Sequence, residues 1–310
     1  MENPEVMRAT VDHVGDLQLP YLPLPSRDFP MHYREKLEQA RRRHRQTKSS
    51  AGLDSGLDFE PEGTTILWRI FGRKVTRHRG NIVKKIGTRV LLSEATALQV
   101  AEEIRLPVPH VYTAKNVSGK NCIIMDFIEG DTLDKLWLKM TRAEKKSIAQ
   151  QLRQIIDRMR SVQSPPNLIG GCDGMEIRDS RDLATRLAPA CTDEDEFNSY
   201  LLSVVPKQTP PHVVKAFKNR LKTTHKIVLS HCDLSLSNII VKDGKVQGLI
   251  DWEMAGWYPE YWEYVKFSQG GIGEAEEDWR TYAGDIFSQS YPDELVDYIA
   301  LSGWQRPSSS

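Results

Sequence analysis

The sequence predicts an α+β protein in two parts, a small antiparallel β-sheet carrying one helix and then a larger, mainly α-helical part. Three observations predict it. Short β-rich runs bordered by Gly72, Gly80 and Gly87 crowd residues 66–86. One helical stretch separates them from two further strand-like runs. Beyond Gly130, apolar residues recur at helical spacing.

In order, residues 66–71 and 74–78 read as strands around Gly72, and residues 81–86 as a third. Ser93 reads as an N-cap. The helix after it sets Ala97, Leu98 and Ala101 on one stripe, and Pro107 and Pro109 forbid its continuation. Residues 111–115 and 121–127 read as two more strands, turned at Ser118-Gly119. Thr141 and Glu144 form a capping box. Ile148, Leu152, Ile155, Ile156, Met159 and Val162 follow as a core-facing stripe ended before Pro165-Pro166. Residues 164–212 read mostly as loops. The stretch 274–297 reads as acidic helix, with eight Asp/Glu against one Arg.

The N-terminal 60 residues lack a sustained pattern. Prolines punctuate residues 20–30, residues 32–48 carry seven Lys/Arg, and residues 51–63 are rich in Gly, Asp and Ser. We read residues 1–60 as a solvated, partly helical or disordered arm and linker, 61–127 as the sheet-bearing part, and 128–310 as the helical part. The chain has 310 residues, with 42 Lys/Arg against 42 Asp/Glu. Zero net charge gives no general case for nucleic-acid binding. No apolar run approaches the ~20 residues of a membrane helix, and no secretory signal is evident. Four scattered cysteines without a C-x-x-C pair argue against zinc or a disulfide framework. A reduced, cytoplasmic protein is expected.

The chemistry concentrates in residues 229–253, Leu229-Ser230-His231-Cys232-Asp233 through Asn238 to Ile250-Asp251-Trp252-Glu253. Asp243-Gly244 between two apolar runs is a strong hairpin signal. A two-residue loop pairs Lys242 with Lys245. That register sets Asn238 opposite Leu249, with Asp251 two residues beyond. Asp233, Asn238 and Asp251 then converge at the open end. Asp and Asn oxygens suit Mg²⁺, and a further Asp can accept a proton from a hydroxyl. That is how a kinase divides the work. His231 reads as a loop brace. Cys232 as a nucleophile lacks a second histidine tied to it by motif.

These residues resemble the aminoglycoside phosphotransferase family of kinase-like enzymes, and most of all its fungal branch. The resemblance runs from about Ile66 to Phe267. It is carried by residues 83–87, 92–95, 107–109 and 123–130, by His231 through Asn238, and by residues 250–253. The tail Trp257-Tyr258-Pro259-Glu260-Tyr261-Trp262-Glu263 is typical of the fungal members. The resemblance implies a bilobal protein-kinase-like fold with ATP between the lobes, Asp233 catalytic, and Asn238 and Asp251 on Mg²⁺. It implies a strand lysine on the phosphates. Lys84 and Lys85 point to opposite faces, and the family's spacing to the helix glutamate, Glu94, selects Lys85. Adenine would meet the Asp126 carbonyl and the Ile128 N–H, with Met125 lining the pocket behind it.

No G-x-G-x-x-G loop precedes Lys85, Trp252-Glu253 follows the metal Asp, and no A-P-E motif is present. These departures point away from a regulated protein kinase and toward a small hydroxylated acceptor. Glu253, Glu260 and Glu263, interleaved with Trp252, Trp257, Tyr258, Tyr261 and Trp262, would suit a cationic group or simply pack a core. A catalytically weak kinase-fold protein that binds nucleotide or a partner is the alternative. Retention of Asp233, Asn238, Asp251 and the lysine speaks against it.

Overall fold

The computed structural model describes residues 63–181, 184–203, 205–206, 208–271 and 273–305. The basic stretch 32–48 and the whole arm and linker, residues 1–60, lie outside them. The described chain forms two compact units. One holds residues 63–99 and Pro109–Ile128; the other holds Val100–Val108 and the chain from Glu129.

The first unit is one five-stranded antiparallel sheet, ordered β1-β2-β3-β5-β4. Its strands are β1 (Thr65–Ile70), β2 (Arg73–His78), β3 (Ile82–Gly87), β4 (Val111–Val117) and β5 (Lys120–Asp126). Helix α1 (Ser93–Glu103) follows β3. Ser93 is not the cap expected of it. It already lies inside the helix, and its buried Oγ makes no hydrogen bond among the described residues. Tight backbone turns open the helix instead, with Glu94 N–H on Leu91 O at 3.2 Å and Ala95 N–H on Leu92 O at 3.1 Å. Ala97, Leu98 and Ala101 are buried, as their stripe requires. Gly87, at φ 156°, closes β3 where a Cβ would lie 2.0 Å from the Gly72 carbonyl oxygen, so no side chain fits there.

The second unit is mainly helical. After β6 (Asp131–Thr132) and the short α2 (Leu133–Leu136), α3 (Arg142–Ser161) starts at a complete capping box, Thr141 with Glu144. Ile148, Leu152, Ile156 and Met159 are buried beneath it, while Ile155 is only half-buried. Residues 164–212 hold more order than their composition suggests. They contain β7 (Gly170–Gly171), a hairpin of β8 (Glu176–Arg181) and β9 (Ala184–Pro189), α4 (Glu194–Ser203) and the start of α5 (Pro211–Arg220). β8 is mostly charged and β9 is rich in Ala and ends in Pro189, so neither carries much β signal and tertiary contacts fix the hairpin. Lys266 Nζ meets the fully buried Asp179 at 2.9 Å.

Then come β10 (Ile227–Ser230), β11 (Ile239–Lys242), β12 (Lys245–Leu249), β13 (Gly256–Pro259), α6 (Trp262–Ser268), α7 (Glu274–Thr281), α8 (Ala283–Ile286) and α9 (Pro292–Gln305). The aromatics at 252–262 are core. Trp252, Trp257, Tyr258, Tyr261 and Trp262 are all buried, and Trp262 makes edge contacts to Phe197 at 5.1 Å and Tyr298 at 5.3 Å. They are not available to cradle a cation. No helix of the described residues is long and apolar enough to cross a membrane.

Candidate active site

In the first unit, the antiparallel register sets the face that matters. Lys85 lies opposite Val75 on β2 and Ile123 on β5, and Val83 opposite Met125. Directly paired residues share a face, so Lys85 and Met125 lie on one side of the sheet. The same face continues through Val75 to Trp68 on β1, a residue whose place a bulge between Ile66 and Trp68 had hidden from sequence reading. Lys85 is buried and its Nζ stands 2.7 Å from a carboxylate oxygen of the buried Glu94. Lys84 projects to the opposite face and is half-buried.

At the end of β5, the Asp126 side chain accepts a 2.6 Å hydrogen bond from the Tyr112 hydroxyl. The Asp126 N–H is taken by His110 O at 3.0 Å, and the Phe127 N–H by Asn81 O at 2.7 Å. The Ile128 N–H makes no backbone hydrogen bond among the described residues.

In the second unit, β10 delivers a buried histidine. His231 Nδ1 accepts the Asp233 N–H at 3.3 Å, which assigns the ring proton to Nε2, and Nε2 donates to Ile250 O at 3.1 Å. Burial lowers the ring's pKa, in keeping with this neutral tautomer. His231 thus ties the loop to the strand end that carries Asp251, the bracing role read for it. Cys232 is buried in the left-handed region at φ 67°. Burial pushes its thiol well above the usual range, so it is no nucleophile.

Asp233 follows and is exposed. Asn238, at the end of the 3-10 turn Leu236–Asn238, donates Nδ2 to the Asp233 carbonyl at 3.0 Å and to its Oδ2 at 2.9 Å. The protein crowded around Asp233, and then the Asp251 charge, push its carboxyl up to about 6 against the opposing pull of Asn238.

The hairpin register differs by one from the simple count. Lys242 pairs with Lys245 and Val241 with Val246, but a bulge then sets Ile240 opposite Gly248 and Ile239 opposite Leu249. An extra residue on β12 is absorbed there. Asn238 therefore faces Ile250, whose N–H it accepts at 3.0 Å, and Asp251 is the next residue rather than two beyond. Asp251 sits at φ 62°, ψ 61°, at the head of the turn Trp252–Met254. Non-glycine residues in this region are uncommon and cluster at functional sites.

Glu263, read from the sequence among the acids that would suit a cationic group or pack a core, takes a different role in the structure. It is buried on α6, and its carboxylate accepts the backbone N–H of His231 at 2.5 Å and of Cys232 at 3.0 Å. Glutamate among five aromatics is the one signal that marked it.

A five-stranded antiparallel sheet with its lysine–glutamate pair, joined in sequence to a helical unit bearing an Asp–Asn loop and a second Asp after a hairpin, defines a protein of the kinase-like class. The chain belongs to the phosphotransferase enzyme family (APH), whose model matches residues 76–291. Similar solved structures include the streptomycin–ATP ternary complex of APH(2")-IIa, at 13% identity and TM-score 0.56, covering 84% of this chain and 93% of that one. A thermostable mutant of aminoglycoside phosphotransferase APH(4)-Ia in ternary complex with AMP-PNP and hygromycin B matches at 15% identity and TM-score 0.55, covering 80% and 86%. ADP-bound APH(2'')-Ib matches at 13% identity and TM-score 0.52, covering 89% and 85%. No curated protein sequence matches this chain.

Proposed function

We propose that the protein transfers the γ-phosphate of Mg–ATP to a hydroxyl of a small molecule. The carrying observation is the Asp233–Asn238 pair. Asn238 uses its amide nitrogen on Asp233, which turns its amide oxygen the other way. That oxygen and the Asp251 carboxylate are hard donors, a set that fits Mg²⁺. Bound there, Mg²⁺ would neutralise phosphate charge.

In this reading Lys85, oriented by Glu94, holds the α- and β-phosphates. The Asp126 carbonyl and the unspent Ile128 N–H meet adenine, and Met125 lines the pocket behind it. Asp233 orients the acceptor hydroxyl and takes its proton as the new O–P bond forms, the β–γ bridging P–O bond breaks and ADP leaves. The protein around Asp233 raises its carboxyl pKa, the direction that strengthens it as a proton acceptor. The family and the nucleotide complexes of its structural relatives support the nucleotide assignment. Those relatives hold hygromycin B and streptomycin, which supports a small hydroxylated, cationic acceptor. The 257–263 tail supports a place in the fungal branch.

The test is a screen of hydroxylated compounds for ADP release from Mg–ATP. Release that depends on one hydroxyl compound and stops with its deoxy analogue supports the reading. A chain that binds Mg–ATP yet releases ADP with none of them would favour a catalytically weak nucleotide binder.

A further inference from the structure

Helix α3 carries two stripes. Ile148, Leu152, Ile156 and Met159 are buried. Beside them, Gln151, Gln154, Ile155 and Arg158 follow at i, i+3, i+4 and i+7 and so share a second face. Ile155 is not the core residue its spacing suggests, because this second face borders an open groove of about 240 Å³.

The rest of the groove is firmly built. Its far wall is the turn after α1, where Leu106 is buried and the Pro107 carbonyl accepts the Leu249 N–H at 2.9 Å. Gln151 is spent on the wall, donating to Gly244 O and accepting from Val246 N–H, both at 3.0 Å. Leu106, Pro107, Ile155 and Val246 supply the apolar half of its lining, and Arg105, Gln151, Gln154 and Arg158 the polar half. Two guanidinium groups border it. Arg158 is anchored by one nitrogen on the Arg105 carbonyl at 3.1 Å. Arg105 has a left-handed backbone at φ 59°, and its guanidinium makes no hydrogen bond or ion pair among the described residues. No Asp or Glu lines the groove.

We propose that this groove binds a small organic anion, an apolar body carrying a carboxylate or phosphate head, with the head on Arg105 and Arg158 and the body against Ile155 and Val246. Guanidinium forks match both heads in geometry and charge. A lining that pairs apolar wall residues with placed polar groups suits an amphipathic small molecule. The absence of lining carboxylates makes it a poor host for a cationic acceptor. The proposal is independent of the phosphotransferase reading.

The experiment titrates the full chain with octanoate and with phenyl phosphate by calorimetry, using octanol and inorganic phosphate as controls. At least one of the two anions should saturate, and which one does identifies the head group. The control lacking its charge or its apolar body should bind at least about tenfold more weakly. Arg105→Gln, and separately Gln154→Glu, should each weaken the anion at least about fivefold. Gln154 is exposed on a helix and Glu is as good a helix former, so this second variant keeps the fold even where Arg105→Gln does not. Failure of both anions to saturate would overturn the proposal. So would wild-type affinity in Gln154→Glu, or octanol and inorganic phosphate binding as tightly as the anions.

Discussion

Glu263 holds Cys232 by its backbone. The two carboxylate oxygens take the Cys232 N–H at 3.1 and 3.0 Å, and one of them also takes the His231 N–H. Cys232 is the left-handed residue that turns the chain immediately before Asp233. A buried acid on α6 thus sets the backbone from which the proposed catalytic carboxylate projects.

Glu263→Gln should therefore lower stability and turnover together. The amide leaves one acceptor and turns an NH₂ group toward a backbone N–H. Hydrogen bonds to a charged group are worth about 1.5–3 kcal/mol each, so a loss of that order is expected from urea unfolding. An unchanged urea midpoint would show that the loop does not depend on this carboxylate.

Lys85→Ala should weaken Mg–ATP binding and turnover, whereas Lys84→Ala should do much less. Lys85 meets Glu94 at 2.7 Å on one face of β3, and Lys84 projects from the other. Removing Lys85 also takes an ion-pair partner from the buried Glu94, so Lys85→Met, which keeps the stem, belongs beside it. Calorimetric titration of the nucleotide checks the order. Equal losses at 84 and 85 would contradict it.

The outline of the fold was legible where local chemistry is strong. Glycine-bordered strands, the Thr141 capping box and the Asp243-Gly244 turn are decided within a few residues. Three features were not. The β8–β9 hairpin pairs a charged strand with an Ala-rich one, and β8 depends on long-range partners such as Lys266. Ser93 looked like a cap, but the turn at Leu91–Leu92 had already opened the helix. The bulge in β12 is a one-residue accommodation that alternation cannot show, and it moved Asp251 one place nearer Asn238. The candidate site residues Asp233, Asn238 and Asp251 stood out because they sit in one short stretch. The role of Glu263 was hidden because 31 residues separate it from Cys232.

His225 gives a pH-dependent stability term. Its Nδ1 lies 2.6 Å from Glu194, and that hydrogen bond raises its pKa above the ordinary 6.5. A group with a raised folded-state pKa contributes fully below its unfolded value, and the contribution fades as pH rises through the folded value. His225→Gln should therefore destabilise the protein more at about pH 6 than at about pH 9. Urea midpoints at the two pH values measure it, and an equal or larger loss at the higher pH would refute the assignment.

The division of labour between the two carboxylates is tested most directly by initial rate against Mg²⁺ concentration, once an acceptor is known. Asp233→Asn should cut transfer about 10²–10⁴-fold, the usual range for a positioned acid–base group, with nucleotide affinity and Mg²⁺ requirement close to wild type. Asp251→Asn should shift the Mg²⁺ requirement upward, because a metal ligand has lost its charge. A shifted Mg²⁺ requirement in Asp233→Asn together with an unshifted one in Asp251→Asn would contradict the account.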